Sequence, residues 1–243
     1  GDYNDEILFS TWCTDSFWFE MLSEATANIG MHEKIDYKEE CNFSDSEKGF
    51  LEFKKIAADK KCRTIYPGGN FEGFLVPHEE TITIAKSLEV KAGEKVSYRP
   101  TVMFIYLPCT YASNYFSNAK VNVYPNPDPN KPQDVDNENG TSIIRGYVYP
   151  KNFEILYQEK ISQGTEYVGV LLMGDNFEPV WVGNRVETSF LNKDKKTSYW
   201  QTPTITPVAM SALAAVCWML KNKDRGGIYF PDDIADYKFI IGT

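Results

Sequence analysis

Hydrophobic and polar positions recur along this chain with two periods, and the changes of period mark its elements. Ile7-Leu8-Phe9 predicts a short strand, and the spacing of Phe17, Trp18 and Met21 beyond it predicts a helix from about Asp15 to Ala27. Asp15 or Ser16 stands where a cap belongs, and Gly30 is its expected stop. Residues 31–62 are charged and mixed, with Phe50, Phe53, Ile56 and Ala57 at the spacing of a second, more exposed helix. Pro67-Gly68-Gly69-Asn70 predicts a turn. The strand Gly73-Phe74-Leu75-Val76 then runs into Pro77-His78-Glu79-Glu80, an acidic helix start followed by Ile82, Ala85 and Leu88 on one face. Thr81-Ile82-Thr83-Ile84 also alternates as a strand would, and helix is the favoured reading there. Ala92-Gly93-Glu94-Lys95 turns the chain into Val96–Leu107, where Thr101 to Leu107 reads as a buried strand stopped by Pro108.

From Tyr124 to Thr141 the pattern gives way to Pro, Asn and Asp; Pro125, Pro127, Pro129 and Pro132 preclude a regular ladder, and an exposed loop is expected. Strand-like segments follow near 142–149, 152–159, 166–173 and 177–183, the last two joined as a hairpin across Gly174-Asp175-Asn176. Thr206-Pro207 opens a helix that is apolar almost all round from Val208 to Leu220, which predicts burial against this chain's own sheet or against a second subunit. The sum is an α+β fold, a central mixed or antiparallel sheet packed by helices. No internal repeat or domain-scale linker interrupts it, so residues 1–243 are expected to form a single domain.

Composition narrows the partners. The chain is ordinary in hydrophobic content (42%) and large enough to bury a sizeable core, while aromatic content is high at 14%. A net charge of −9 argues against binding nucleic acid, which calls for a basic stripe, and suits cationic partners. The five cysteines Cys13, Cys41, Cys62, Cys109 and Cys217 lack any CxxC spacing and point to reduced thiols in a reducing compartment, cytoplasm or organelle interior. The start carries neither a secretory nor a transit signal, and Pro207 to Leu220 is shorter than the roughly 20 residues of a membrane span, so a soluble protein is expected. No glycine-rich dinucleotide turn, phosphate loop or HExxH is present, and His32 and His78 stand too far apart for a histidine-rich metal site.

One stretch carries candidate chemistry. In Thr11-Trp12-Cys13-Thr14-Asp15-Ser16-Phe17-Trp18-Phe19-Glu20 an indole and a carboxylate stand eight residues apart at a helix start. Such a pair suits a cation, since an indole face attracts an ammonium or iminium group by roughly 0.5–2 kcal/mol and a carboxylate fixes where the charge lies. Spacing alone equally allows Trp12, Phe17, Trp18 and Met21 to be core residues of an amphipathic helix.

The strings Tyr98-Arg99-Pro100-Thr101 with Tyr106-Leu107-Pro108-Cys109, Phe74-Leu75-Val76-Pro77-His78-Glu79-Glu80, Gly169-Val170-Leu171-Leu172-Met173-Gly174, and Thr11-Trp12 with Glu20 together resemble bacterial homospermidine synthase, in the same order. The resemblance spans nearly the whole chain and is to the second part of that enzyme, a substrate-binding and dimerisation domain beside a Rossmann domain. It implies an enzyme that uses NAD to oxidise putrescine to an imine, exchanges it with a second amine and reduces the product to homospermidine. It implies Trp12 as the indole facing the cation, Glu20 as a carboxylate deep in the amine tunnel and Glu80 as a further catalytic acid. Glu166, where the family has Asp, and His78 are implied as substrate-binding residues. Putrescine or another polyamine is the implied ligand, and a homodimer or a larger assembly the implied state.

The chain also departs from the family. The glycine-rich nucleotide-binding half does not occur in these 243 residues, so NAD is expected only where a separate or missing Rossmann domain supplies its site. Met103 and Leu107 stand where the family tends to have histidines, the 124–141 loop is longer, and Thr202-Pro203-Thr204 replaces an Asn-Ala-Thr stretch. These departures support an alternative, a catalytically inactive domain that serves as a structural or assembly subunit.

Overall fold

The computed structural model describes residues 7–33, 40–45, 49–118, 135–136, 142–157, 160–161, 163–191, 202–229, 234 and 239. They fall into two compact units, residues 1–155 and 156–243. The mixed α and β class expected from the sequence is what the structure has, with the strands distributed over small sheets.

In the first unit β1 (Ile7–Ser10) leads directly into α1 (Thr14–Leu22). Phe17, Trp18, Met21 and Leu22 on α1 are buried, and Trp18 stacks on Phe116 at 5.5 Å and meets Tyr115 and Tyr149 edge-on. Burying each such side chain is worth about 1.5–3 kcal/mol, so α1 is held by this aromatic core. The core-residue reading therefore holds for Phe17, Trp18 and Met21 and fails for Trp12, which is 39% exposed. The helix is shorter than expected. Cys13, not Asp15 or Ser16, holds the cap position, and the chain leaves α1 at Ser23 to form β2 (Glu24–Asn28).

The expected second helix is a correction of kind. Residues 41–59 form β3 (Cys41–Asp45), β4 (Phe50–Ile56) and one 3-10 turn at Ala57–Asp59, with β4 central and antiparallel between β2 and β3. Leu51 and Phe53 are both buried, so the operative period is two, and cross-strand pairing outweighs the helical spacing of Phe50, Phe53 and Ile56. The turn at Pro67-Gly68 is as expected and joins β5 (Lys61–Tyr66) to β6 (Gly69–Leu75). Next come α2 (Glu80–Ser87), which settles the helix-or-strand choice, and the hairpin of β7 (Val90–Ala92) and β8 (Lys95–Tyr98).

Thr101 to Leu107 is not one buried strand. Val102 bridges to Asn28, β9 (Ile105–Tyr106) pairs with β6, and Met103 and Leu107 are exposed. The preceding Arg99 explains the break. Its side chain is 5% exposed and lies 3.7 Å from Glu89, while its carbonyl accepts the Met31 N–H. Two glycines make room for this clasp. A Cβ at Gly30 would lie 2.7 Å from the Thr101 nitrogen, and one at Gly49, whose φ is +69°, would lie 2.6 Å from Arg99 Nη2. The Arg-Pro-Thr string is thus architectural.

After α3 (Thr110–Asn118), the stretch 124–141 lies outside the described residues except for β10 (Val135–Asp136). The segment near 142–149 is a hairpin, β11 (Ser142–Ile144) and β12 (Tyr147–Val148), turned at Arg145-Gly146. β13 (Asn152–Ile155) closes the unit in parallel with β1.

The second unit contains the expected hairpin, β14 (Thr165–Gly174) with β15 (Phe177–Glu187), then α4 (Thr188–Leu191) and α5 (Ile205–Lys221). The expected burial of α5 inside this chain is confined to Ala214 and Trp218. Val208, Met210, Leu213, Val216, Met219 and Leu220 are 47–73% exposed. Hydropathy states that a face is apolar, not what covers it. Among the described residues no helix is long and apolar enough to cross a membrane.

Candidate functional site

The first unit brings three of the five residues implied by the resemblance together. Glu20 stands on the last turn of α1, next to the buried stripe of Trp18 and Met21, with its side chain 26% exposed. His78 arrives on the short segment between β6 and α2. The Thr81 hydroxyl and N–H both donate to its carbonyl, which starts α2 directly after it. Its imidazole lies flat on Phe104, 4.0 Å between centroids at 11°. Phe104 is held there because its carbonyl accepts the Val76 N–H beside the β6–β9 pairing.

The ring joins two carboxylates. Its Nδ1 hydrogen-bonds to Glu80 Oε2, and its Nε2 lies 3.8 Å from Glu20 Oε1. Desolvation holds the Glu20 carboxyl above its ordinary range, His78 opposes that shift and the Glu80 charge adds to it. Two carboxylates and one imidazole leave an excess of negative charge at a partly enclosed point, the condition that draws a cation. Both ring nitrogens thus face carboxylate oxygens, Nδ1 toward Glu80 and Nε2 toward Glu20.

Trp12 and Glu166 are held by other contacts. Trp12 lies in the turn before α1, anchored by its backbone N–H to Ser10 Oγ at 3.2 Å, with its indole half-exposed. Glu166 belongs to the second unit, on β14, where it accepts the Thr204 hydroxyl just ahead of α5. Desolvation holds its carboxyl up, opposed by that hydrogen bond. Thr204 closes the Thr202-Pro203-Thr204 stretch, whose first two residues depart from the family, and in the second unit its hydroxyl satisfies Glu166. The sequence reading missed Phe104, the platform for His78; within Thr101–Leu107 no periodicity sets it apart from a core residue.

A dinucleotide needs a glycine-bearing strand-to-helix turn so that its pyrophosphate can approach backbone N–H groups. Among the described residues these turns are Thr11-Trp12-Cys13 before α1, Val76-Pro77-His78-Glu79 before α2 and Leu107-Pro108-Cys109 before α3, and no glycine occurs in them. The described turns do not fit that cofactor.

No family model matches the chain. It is 28% identical over 239 residues to homospermidine synthase of Mesorhizobium japonicum, covering 96% of this chain and 43% of that protein. It is 26% identical over 233 residues to homospermidine synthase of Blastochloris viridis, covering 94% of this chain and again 43% of that one. The crystal structure of homospermidine synthase from Legionella pneumophila in complex with NAD superposes with a TM-score of 0.78 at 23% identity, over 98% of this chain and 46% of that chain. The chain is therefore similar to homospermidine synthase along nearly its whole length, and it spans less than half the length of these relatives.

The raised Glu20 carboxyl has a thermodynamic signature. The native protein holds that proton more tightly than the unfolded chain, so stability is full below the ordinary value near 4.5 and falls as pH rises through the native one. Glu20→Gln is expected to stabilise the unliganded protein at neutral pH and to flatten this fall, measured by urea denaturation across the acid-to-neutral range. A variant less stable than wild type at neutral pH would contradict the burial account.

Proposed function

We propose that this chain is the amine-binding part of a homospermidine synthase-like enzyme that transfers the aminobutyl group of one putrescine to another with NAD as hydride carrier. The observation that carries this reading is the convergence of Glu20, His78 and Glu80 in the first unit, at the positions matched to the family's strings. In such an enzyme a separate nucleotide-binding domain would hold NAD, which would supply removal and return of hydride.

The chain's own residues do the rest. The Glu20 carboxylate accepts the inner ammonium of the diamine by charge-assisted hydrogen bonds, and Glu80, oriented by His78, takes a second N–H. The Trp12 indole offers its face to positive charge without offering a nucleophile that would attack an imine. Exchange of amines on an imine carbon makes one C–N bond and breaks another, with a proton leaving the incoming ammonium and one reaching the departing ammonia. His78, between two carboxylates and stacked on Phe104, is placed to take and return that proton. Glu166 is the substrate-binding acid of the second unit.

The test is calorimetric titration of putrescine into the full chain. Wild type binds, and Glu20→Gln weakens binding by at least about tenfold, the worth of one charge-assisted hydrogen bond. Absence of binding in wild type, or equal binding in Glu20→Gln, overturns the reading.

A second reading rests on a different observation. Val168, Val170, Leu172, Val180 and Val182 share one face of the β14–β15 hairpin and are 45–59% exposed, and six apolar residues of α5 are exposed as well. Apolar surface on that scale suits an assembly role, a homodimer or a larger complex, with or without catalysis. Light scattering at micromolar concentration is expected to give a mass above one chain; a stable, soluble monomer would dismiss it.

A further inference from the structure

The turn between β11 and β12 is built against its own residue preference. Arg145 and Gly146 occupy its two central positions with φ of +48° and +82°, the pattern of a type I′ turn. The first of these positions favours Asn, Asp or Gly, because a larger side chain brings Cβ against the backbone. An arginine there calls for a reason in its side chain.

That reason is visible at α1. Arg145 Nη1 donates to the Leu22 carbonyl at 2.7 Å and to Glu24 Oε1 at 2.8 Å. Leu22 ends α1, and its carbonyl belongs to the last turn, which has no helical partner and carries the negative end of the helix dipole. No basic residue of α1 stands in that turn. The turn's other ties come from Ser23, whose N–H donates to Glu20 O and whose hydroxyl donates to Phe19 O. Through Glu24 the same guanidinium grips the start of β2, so one cation 123 residues downstream fixes the corner where α1 becomes β2. Glu20 stands two residues before that corner.

We propose that Arg145 is a positioning residue for the amine site, tying the last turn of α1 to β2 and thereby fixing Glu20 at its distance from His78. It touches neither carboxylate of the site and acts through the helix end. The assignment rests on the amine-binding reading above, which names what Glu20 is positioned for.

The test uses the full chain and the variants Arg145→Gly and Arg145→Lys, well below their unfolding temperatures. Glycine adopts the left-handed turn freely, so Arg145→Gly removes the guanidinium without straining the hairpin. Putrescine affinity, its pH dependence and hydrogen exchange of the amides of residues 20–24 are measured together. Arg145→Gly is expected to weaken putrescine binding by about tenfold, shift the pH midpoint of binding and speed exchange at the helix end, since a misplaced group loses orientation before it loses charge. Arg145→Lys, which keeps the cation, is expected to recover part of the loss. If wild type binds putrescine and Arg145→Gly binds it equally with the same pH midpoint, Arg145 is a structural tether and the proposal is overturned. If wild type takes up no diamine, the amine-binding reading fails first and this assignment falls with it.

Discussion

The constraint on which the first unit depends is the desolvation of one carboxylate. Glu20 stands on a helix whose neighbouring positions, Phe17, Trp18 and Met21, are committed to an aromatic core, so its carboxyl is carried to the edge of that core. Burial raises the cost of its charge, and the nearby Glu80 raises it further. A fold selected only for stability would place a neutral group here. On the proposed amine-binding reading, keeping an acid here, with an imidazole between it and a second acid, favours an incoming cation at the expense of the empty protein.

Much of this was legible in the sequence because it is local. The turns at Pro67-Gly68, Gly93-Glu94 and Asp175-Asn176 and the acidic start of α2 follow from residues that admit few backbone conformations. The resemblance implied five site residues, Trp12, Glu20, His78, Glu80 and Glu166, and of these Glu20, His78 and Glu80 lie side by side in the first unit. What the sequence hid is non-local. Residues 50–56 have helical spacing, yet they pair with β2 and β3, and Ser23 to Asn28 leaves α1 because a strand partner waits at β4. Phe104 and Arg145 gain their roles from segments 26 and 123 residues away, His78 and Leu22, and such pairings leave no periodic trace.

The second unit carries a different lesson. Its hairpin and α5 formed where the pattern put them, but most of the apolar positions of α5 remain exposed. An all-round apolar helix is a statement about surroundings, and the described residues supply part of them. The relatives that match this chain are more than twice as long as the matched stretch, which leaves room for further polypeptide as well as for a second copy.

The central claim is that an ammonium ion takes the place of a proton at the Glu20–His78–Glu80 cluster. Putrescine binding measured calorimetrically in buffers of different ionisation enthalpy gives the number of protons exchanged. A bound cation lowers the proton affinity of the raised Glu20 carboxyl, so the account predicts net proton release on binding in mildly acidic buffer, lost in Glu20→Gln. Binding with no proton exchange, or with uptake, would contradict it.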